Sequence, residues 1–359
     1  MAFFNGHTHD EYSNITTGLD SLNKLPDLVA RAKELGLMGM AITNHDNLSE
    51  AIDINRMQKK LHKENDPFVL AIGNEIYLVP GYDPTDGKKE RYYHFILIAK
   101  DKIGYDALVR FSSAAWYRST VKNGKRRVPT LMKDIEDLMQ DAKGHIIATS
   151  ACLGGMLPTY VLGGAGDLAK QFMAWCIEQF GADNFYVEIQ PSNHGEQIEF
   201  NNWVYKNIDS THVTIATDAH YQGKDDFPIF EAFLRSDEKN QKREVKEFYD
   251  YAYLMSEDEA RSIILSTTNI NNDWLDQVFE NTTKIAAQIE FYDLAQDPRI
   301  PGAPLERPAG LALNLNSEEL QFVQDWPTIK WALYEQDEKT RYCIFTCLNA
   351  LKERGKLEK

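Results

Sequence analysis

Near the amino terminus the sequence reads HTHDEYSN, with His7 and His9 flanking Thr8. Residues two apart on an extended strand share a face, so this short run offers two nitrogen ligands side by side. Comparable groups stand where other apolar runs end. They are His45 after LMGMAITN, Glu75 in PFVLAIGNEIYLV, Cys152 after HIIATSA, and Asp218 with His220 in VTIATDAH. In parallel α/β folds functional residues gather at the carboxyl ends of strands. His94 is the exception, because it opens its run in YYHFILIA; Asp20 follows the first run in ITTGLDS.

Each residue alone has a plainer role. A single histidine in an apolar segment is usually hydrogen-bonded core, a buried cysteine acts as a small hydrophobe, Asp20 suits a helix cap, and Asp218 suits a loop brace. Convergence decides otherwise, since five of the nine histidines fall in this set. Burying them with three carboxylates and no positive charge is costly, and divalent cations remove that cost. The predicted metal ligands are therefore His7, His9, Asp20, His45, Glu75, His94, Cys152, Asp218 and His220. The donors are nitrogen, oxygen and one sulfur, which suits zinc, manganese or iron better than calcium. Nine ligands exceed the needs of one tetrahedral ion, so two or three ions sharing bridging residues fit the count. Clustered metals point to phosphoester hydrolysis, with His9, Asp218 and His220 as candidates for proton transfer. His62, His145, His194 and His212 read as surface or local structural residues, His194 being the nearest to the site.

The elements that must position these groups follow from the same runs. Seven apolar stretches, beginning with MAFFNGHTH and ending with VTIATDAH, alternate with helical patterns such as LNKLPDLVARAKEL and DLAKQFMAWCIEQF. Alternation predicts parallel strands joined by crossovers, and seven units favour a closed α/β barrel over an open sheet. KNGKRRVPT, at 122–130, reads as an exposed basic loop that could touch a phosphate backbone. YDPTDGKKER, at 82–91, reads as a flexible excursion between strands, and VLGGAGD, at 161–167, as a turn lacking the Lys and Ser/Thr of a P-loop. The expected organisation is a metal-binding barrel over 1–270, a closing helical segment over 271–300, and a linker with further helices over 301–359. DPRIPGAPLERPAG, at 297–310, would be the linker.

With 43% hydrophobic residues, 17 Phe and 17 Tyr among its 359, the chain can fill a sizeable core. The net charge of −15 argues against a general duplex-DNA binder, although bound cations reverse the sign locally. No basic leader and no apolar run of about 18 residues is seen, so neither export nor a membrane span is expected. Four cysteines without dense spacing suit a reducing cytosol. Cys343 and Cys347 mark one helix face.

These motifs resemble a known family. HTHDEYSN with a following LDS, AITNHDNLSE, GNEIYL, HFILIAKDKIGYDALVRFSS, IIATSACLGG, FYVEIQ and IATDAHY are similar, in order, to the PHP (polymerase and histidinol phosphatase) domain. Within it they most resemble the amino-terminal domain of the bacterial replicative DNA polymerase III alpha subunit, with a YSN…LDS spacing closer to phage-encoded versions. The resemblance runs over 3–235 and, through FENTTKIAAQIEF, to about 300. It implies a distorted seven-stranded (β/α)7 PHP barrel holding up to three metals, on the nine ligands already named. Asn44 stands where the family usually has aspartate. The last 50 or so residues resemble the helical start of the polymerase palm region, without its paired aspartates, so polymerase activity from this chain alone is not expected.

Two functions compete. The first is a metal-dependent phosphodiesterase, a 3′→5′ exonuclease acting on DNA ends in or beside a phage-type polymerase system, in the cytoplasm (the host's, if the chain is phage-encoded). The second is a catalytically weak or inactive docking module of a split or truncated alpha subunit, binding separately encoded polymerase or replisome subunits through its carboxyl-terminal helices. A small-molecule phosphatase shares the metals but needs a closed pocket.

Overall fold

A computed structural model describes residues 3–81, 91–122, 125–236, 247–295, 313–326, 330–334 and 337–357. The chain divides into two compact units, Met1–Ala295 and Gln296–Lys359. The first contains the strands β1 (Phe4–Asn5), β2 (Gly39–Ile42), β3 (Val69–Val79), β4 (Tyr93–Ala99), β5 (Thr120–Lys122), β6 (Lys125–Arg127), β7 (Pro129–Leu131), β8 (Ile146–Thr149), β9 (Phe185–Ile189) and β10 (Val213–Ile215). Seven of them pair in the order β1-β2-β3-β4-β8-β9-β10. Beyond the ends of β1 and β10, a parallel bridge joins Thr8 to Ala219, and the His9 amide donates to the Ala219 carbonyl at 2.9 Å. The result is a distorted, nearly closed seven-stranded barrel interleaved with helices.

Two sequence expectations need correction. The strands are not all parallel: β4 runs antiparallel to both β3 and β8. A parallel pair needs a crossover of about a dozen residues or more, usually a helix, and the stretch between Val79 and Tyr93 has no helical pattern. Most of YDPTDGKKER lies outside the described residues. The reversal also explains His94, because the start of β4 lies where the parallel strands end. The second correction concerns KNGKRRVPT, which is no simple loop. β5 and β6 pair as an antiparallel hairpin, and β7 then joins β3 in parallel, burying Val128 and Thr130. The Asn-Gly between the two strands, which lies outside the described residues, is in sequence terms a strong hairpin dipeptide whose signal the surrounding basic residues obscured.

The expected helices are present at Leu25–Glu34, Ala51–Lys63, Lys102–Tyr117, Gly166–Phe180 and Gly195–Asn207. Helix Ala51–Lys63 buries Ala51, Ile54, Asn55, Gln58 and Leu61, a single stripe at helical spacing, and places Lys60 and Lys63 in its last turn, where they oppose the helix dipole. VLGGAGD is indeed a turn between helices, with Gly164 at φ +70°.

Alternation along the strands separates two cores. Met40, Ile42, Leu70, Ile72, Phe95, Leu97 and Val187 join the helices in one large cluster. Their neighbours Phe4, Ala41, Ala71, Ile96, Ile98, Ile147 and Tyr186 form a second cluster with Ile285 and Ala286. The second cluster fills the barrel's interior at the amino ends of the parallel strands. Helix Asn272–Ala287 covers that end: Thr282 Oγ1 accepts from the Phe4 amide at 3.2 Å, and Asn281 donates to the Val213 carbonyl at 2.8 Å.

In the second unit, helices Ser317–Asp325 and Glu338–Glu353 share a small core of Val323, Leu348 and Leu357. The predicted linker at 297–310 lies outside the described residues.

Candidate metal centre

Two residues farther along the interior rows, the side chains change character. Ala71 is followed on its face by Gly73 and Glu75, Tyr186 by Glu188, and Ile96, on the reversed strand, is preceded by His94. Gly73 is required there, since a Cβ would lie 2.7 Å from Thr43 Cγ2 and 2.9 Å from the Leu97 carbonyl oxygen. Around this ring the nine predicted ligands form one connected cluster. His7 Nε2 lies 3.0 Å from Asp218 Oδ1 and 3.1 Å from His9 Nε2. Glu75 is central, with Oε2 3.1 Å from His9 Nε2 and 2.9 Å from His45 Nδ1, and Oε1 2.7 Å from His94 Nδ1. Asp20 Oδ2 sits between His45 Nε2 at 3.3 Å and His220 Nε2 at 3.4 Å. Asp20 therefore faces imidazoles and caps nothing; the position before helix Leu25–Glu34 is Lys24. Cys152 Sγ is 3.4 Å from His94 Nδ1, and a Cβ on Gly154 would crowd the His94 ring at 3.0 Å.

Three overlapping groups have the separation a metal ion needs: His9, Asp20, His45 and His220; His7, His9 and Glu75; His45, Glu75 and His94. His9, His45 and Glu75 each belong to two groups. The backbone turns sharply to deliver these residues. Asp46, Ala151 and Asp218 adopt φ of 54°, 57° and 48° just past strand ends, a conformation that carries strain of about 1–3 kcal/mol per residue.

Hydrogen bonds aim the imidazoles. Ser13 Oγ donates to Asn44 Oδ1 at 2.9 Å, so its lone pair accepts from His9 Nδ1 at 2.8 Å. His7 Nδ1 donates to Glu188 Oε1 at 2.8 Å, and His220 Nδ1 to the Asp218 carbonyl at 2.7 Å. In all three, Nδ1 is the donor to the support and Nε2 faces the cluster, the atom that ligates once a cation takes the place of any proton there. Asn44 is itself oriented: its Oδ1 accepts the Asp10 amide at 2.9 Å while its Nδ2 donates to Asp10 Oδ1 at 2.6 Å. An aspartate at 44 would set a second carboxylate against Asp10, so asparagine supports His9 without that repulsion.

Charge within the cluster is balanced only locally. Burial opposes ionisation of Asp20, Glu75 and Asp218, yet the surrounding imidazoles hold all three well below the usual carboxylate range. Burial likewise opposes charge on His7 and His45, which the neighbouring carboxylates outweigh, lifting both well above the ordinary imidazole range. His9 is pushed down by burial and then by His220 and His45. Asp20 Oδ2, both Glu75 oxygens, Asp218 Oδ1 and His45 Nδ1 are buried, and although oxygens and imidazole nitrogens lie close to one another here, these atoms meet no partner in good hydrogen-bond geometry. Such inward-facing acceptors, with one thiol nearby, fit divalent cations.

The PHP domain family matches residues 5–192, more than half of the chain. This chain belongs to the PHP family. It is 36% identical over 321 residues to the "Probable DNA polymerase YorL" of Bacillus subtilis, covering 82% of this chain and 24% of that one. A "DNA-directed DNA polymerase" of Bacillus phage SPbeta matches to the same extent. The "DNA polymerase III subunit alpha" of Thermus aquaticus is 30% identical over 300 residues, 80% of this chain and 22% of that one. The chain resembles the amino-terminal region of such alpha subunits and spans about a quarter of the length of these relatives.

The PHP site opens into a cavity of about 1150 Å³. Asp20, His45, His94, Cys152, Asp218 and His220 line it, while the side chains of His7, His9 and Glu75 are fully buried beneath. His194 lines the cavity too; of the other histidines, His145 pairs with Asp101 and His62 stacks on Phe291. Sequence reasoning missed Glu188, although it lies two residues past Tyr186 on the interior face. It also missed Ser13, inside the first motif, and Arg91 on the cavity wall; Arg127, on the same wall, lies within KNGKRRVPT, which reads as a basic stretch able to touch a phosphate backbone but is not placed at this site by sequence alone. Among the described residues no helix is long and apolar enough to cross a membrane.

Proposed function

We propose that this PHP domain is a metal-dependent phosphodiesterase that removes nucleotides from DNA 3′ ends, in or beside a phage-type replicative polymerase system in the host cytoplasm. The observation that carries this reading is the trio of overlapping ligand groups sharing His9, His45 and Glu75 at the floor of an open cavity. All nine residues would hold two or three zinc, manganese or iron ions. Bound there, such ions would supply Lewis-acid charge at the phosphoryl group and a nucleophile at neutral pH. Asp218, which lines the cavity while its Oδ1 is buried beside His7 and His9 Nε2, takes a proton from the attacking water. His220, held by its Nδ1 donation to the Asp218 carbonyl, returns a proton from Nε2 to the departing 3′ oxygen when it is protonated, a form that burial opposes and Asp20 and Asp218 favour, and in that role it leaves the ions to the other eight residues. His9 completes the set from beneath through Nε2, with Ser13 fixing its tautomer.

The test is release of mononucleotides from a 3′-labelled single-stranded oligonucleotide with Mn²⁺ or Zn²⁺. Release by the wild type and its loss in His9→Ala support the proposal. Absence of release, or release unchanged by the substitution, overturns it.

A second reading, supported by the similarity to the amino-terminal region of polymerases, is a docking module for polymerase parts, with residues 301–359 resembling the start of a palm region. Co-purification with a separate polymerase polypeptide, and no nuclease activity when alone, would be its mark.

A further inference from the structure

In a chain of net charge −15, two arginines, Arg91 and Arg127, line the same cavity as His94 and His220. Among the described residues no carboxylate lies within salt-bridge distance of either guanidinium, although the charge of Arg127 acts on the buried Asp46 carboxyl. Each lies over a ring instead, Arg91 over Tyr93 at 5.3 Å and Arg127 over Tyr92 at 5.4 Å. A guanidinium held over a ring keeps N–H donors at its edge, and such a planar fork can grip phosphate with two bonds.

Position separates these arginines from ordinary surface charge. Arg127 ends the hairpin β5–β6, whose second strand packs beside the short helix Asn14–Thr17 at the cavity wall. From Arg127 the rings continue through Tyr92 and Tyr77, 6.3 Å apart, to His94, 5.1 Å from Tyr77. Arg127 thus sits two rings from a proposed ligand. Its neighbour Arg126 faces the other way on the strand, over Trp116 at 5.3 Å with a 3.2 Å hydrogen bond to Ser119 Oγ. The cavity, at about 1150 Å³, also exceeds the about 300–1,000 Å³ that encloses a small molecule.

We infer that Arg91 and Arg127 clamp phosphates of a single-stranded polynucleotide beyond the phosphate being cut, guiding its 3′ end to the cluster. The inference rests on the phosphodiesterase reading. A polymer supplies further phosphates where a phosphomonoester has none, and a single strand meets less repulsion from this acidic chain than a duplex with two backbones.

The experiment measures fluorescence anisotropy of a labelled short oligothymidylate with the full chain across a salt series. It compares wild type, Arg91→Gln/Arg127→Gln, and a charge-matched control, Lys133→Gln/Lys284→Gln, whose lysines pair with Asp137 and Glu280 on exposed helix faces. The arginine pair is expected to weaken binding about tenfold or more and to lower the slope of log affinity against log salt by about 1.4, at about 0.7 per phosphate contact. The lysine pair leaves both unchanged. Absence of wild-type binding, equal losses in the two double variants, or equal competition by a blunt duplex overturns the clamp. Should the arginine pair fail to fold, Arg127→Lys keeps the charge and removes the fork; weakened binding at an unchanged slope supports the clamp, and wild-type affinity overturns it. Bis(p-nitrophenyl) phosphate with Mn²⁺ separates the two claims. Turnover without oligonucleotide binding removes the clamp alone, and binding without turnover removes the phosphodiesterase alone.

Discussion

At the amino ends of the parallel strands, the barrel interior is packed with Phe4, Ala41, Ala71, Ile98 and Ile147 against Ile285 and Ala286. At the other end the same rows of side chains present Glu75, His94 and Glu188, and the chains leaving β1, β2 and β10 add His7, His9, His45, Asp218 and His220. The lower half is held by removal of apolar surface from water, at about 25 cal/mol per Å², which depends little on ions or pH. The upper half sets buried acceptors facing one another and is satisfied only by protons or cations. One scaffold therefore carries two kinds of stability, and they respond to different perturbations.

The largest effect is expected below. Ile98→Ala opens a cavity in the apolar half and should cost about 2–5 kcal/mol in denaturant unfolding, equally with and without chelator. A chelator-dependent loss would break the comparison. Next comes the ion itself. Mn²⁺ or Zn²⁺ at a hundredfold excess over its dissociation constant should stabilise the wild type by about 2.7 kcal/mol, read as a rise in melting temperature that EDTA reverses. Glu188→Gln, which weakens the hold on His7 Nδ1, should lower metal affinity about 10–100-fold in calorimetric titration while leaving apo stability near wild type.

The smallest effect sharpens the comparison within the upper end. Glu50, near Asp10 and Asp53, has no imidazole partner, and burial followed by those two charges pushes it up to about 8. That is the reverse of Asp20, Glu75 and Asp218. Its contribution to stability is full below about 4.5 and is lost as pH rises through about 8. With chelator present, Glu50→Gln should match wild type at low pH and exceed it at alkaline pH. The gain expected is about 1–2 kcal/mol, from about 1.4 kcal/mol per unit discounted for solvent screening. Parallel melting curves at all pH values would contradict this.

How legible the molecule was in its sequence depended on the kind of signal. The clustered strand-end residues could be read because apolar runs stop at them in chain order, and seven such runs pointed to the barrel now seen. Strand direction could not be read: FILIA is equally apolar both ways, and only the odd place of His94 hinted at reversal. The hairpin β5–β6 was hidden because Lys and Arg masked an Asn-Gly signal. Glu188 was within reach, since alternation from Tyr186 puts it on the interior face, whereas Arg91 and Arg127 meet at the cavity only through tertiary packing.

The central claim is that these nine residues form one multinuclear metal site. Metal content per chain, measured by plasma mass spectrometry after dialysis against Zn²⁺ or Mn²⁺, tests it most directly, with Glu75→Gln alongside because Glu75 belongs to two of the three groups. The account predicts two or three ions in the wild type and fewer in the variant. Less than one ion per wild-type chain, or equal content in both proteins, would contradict it.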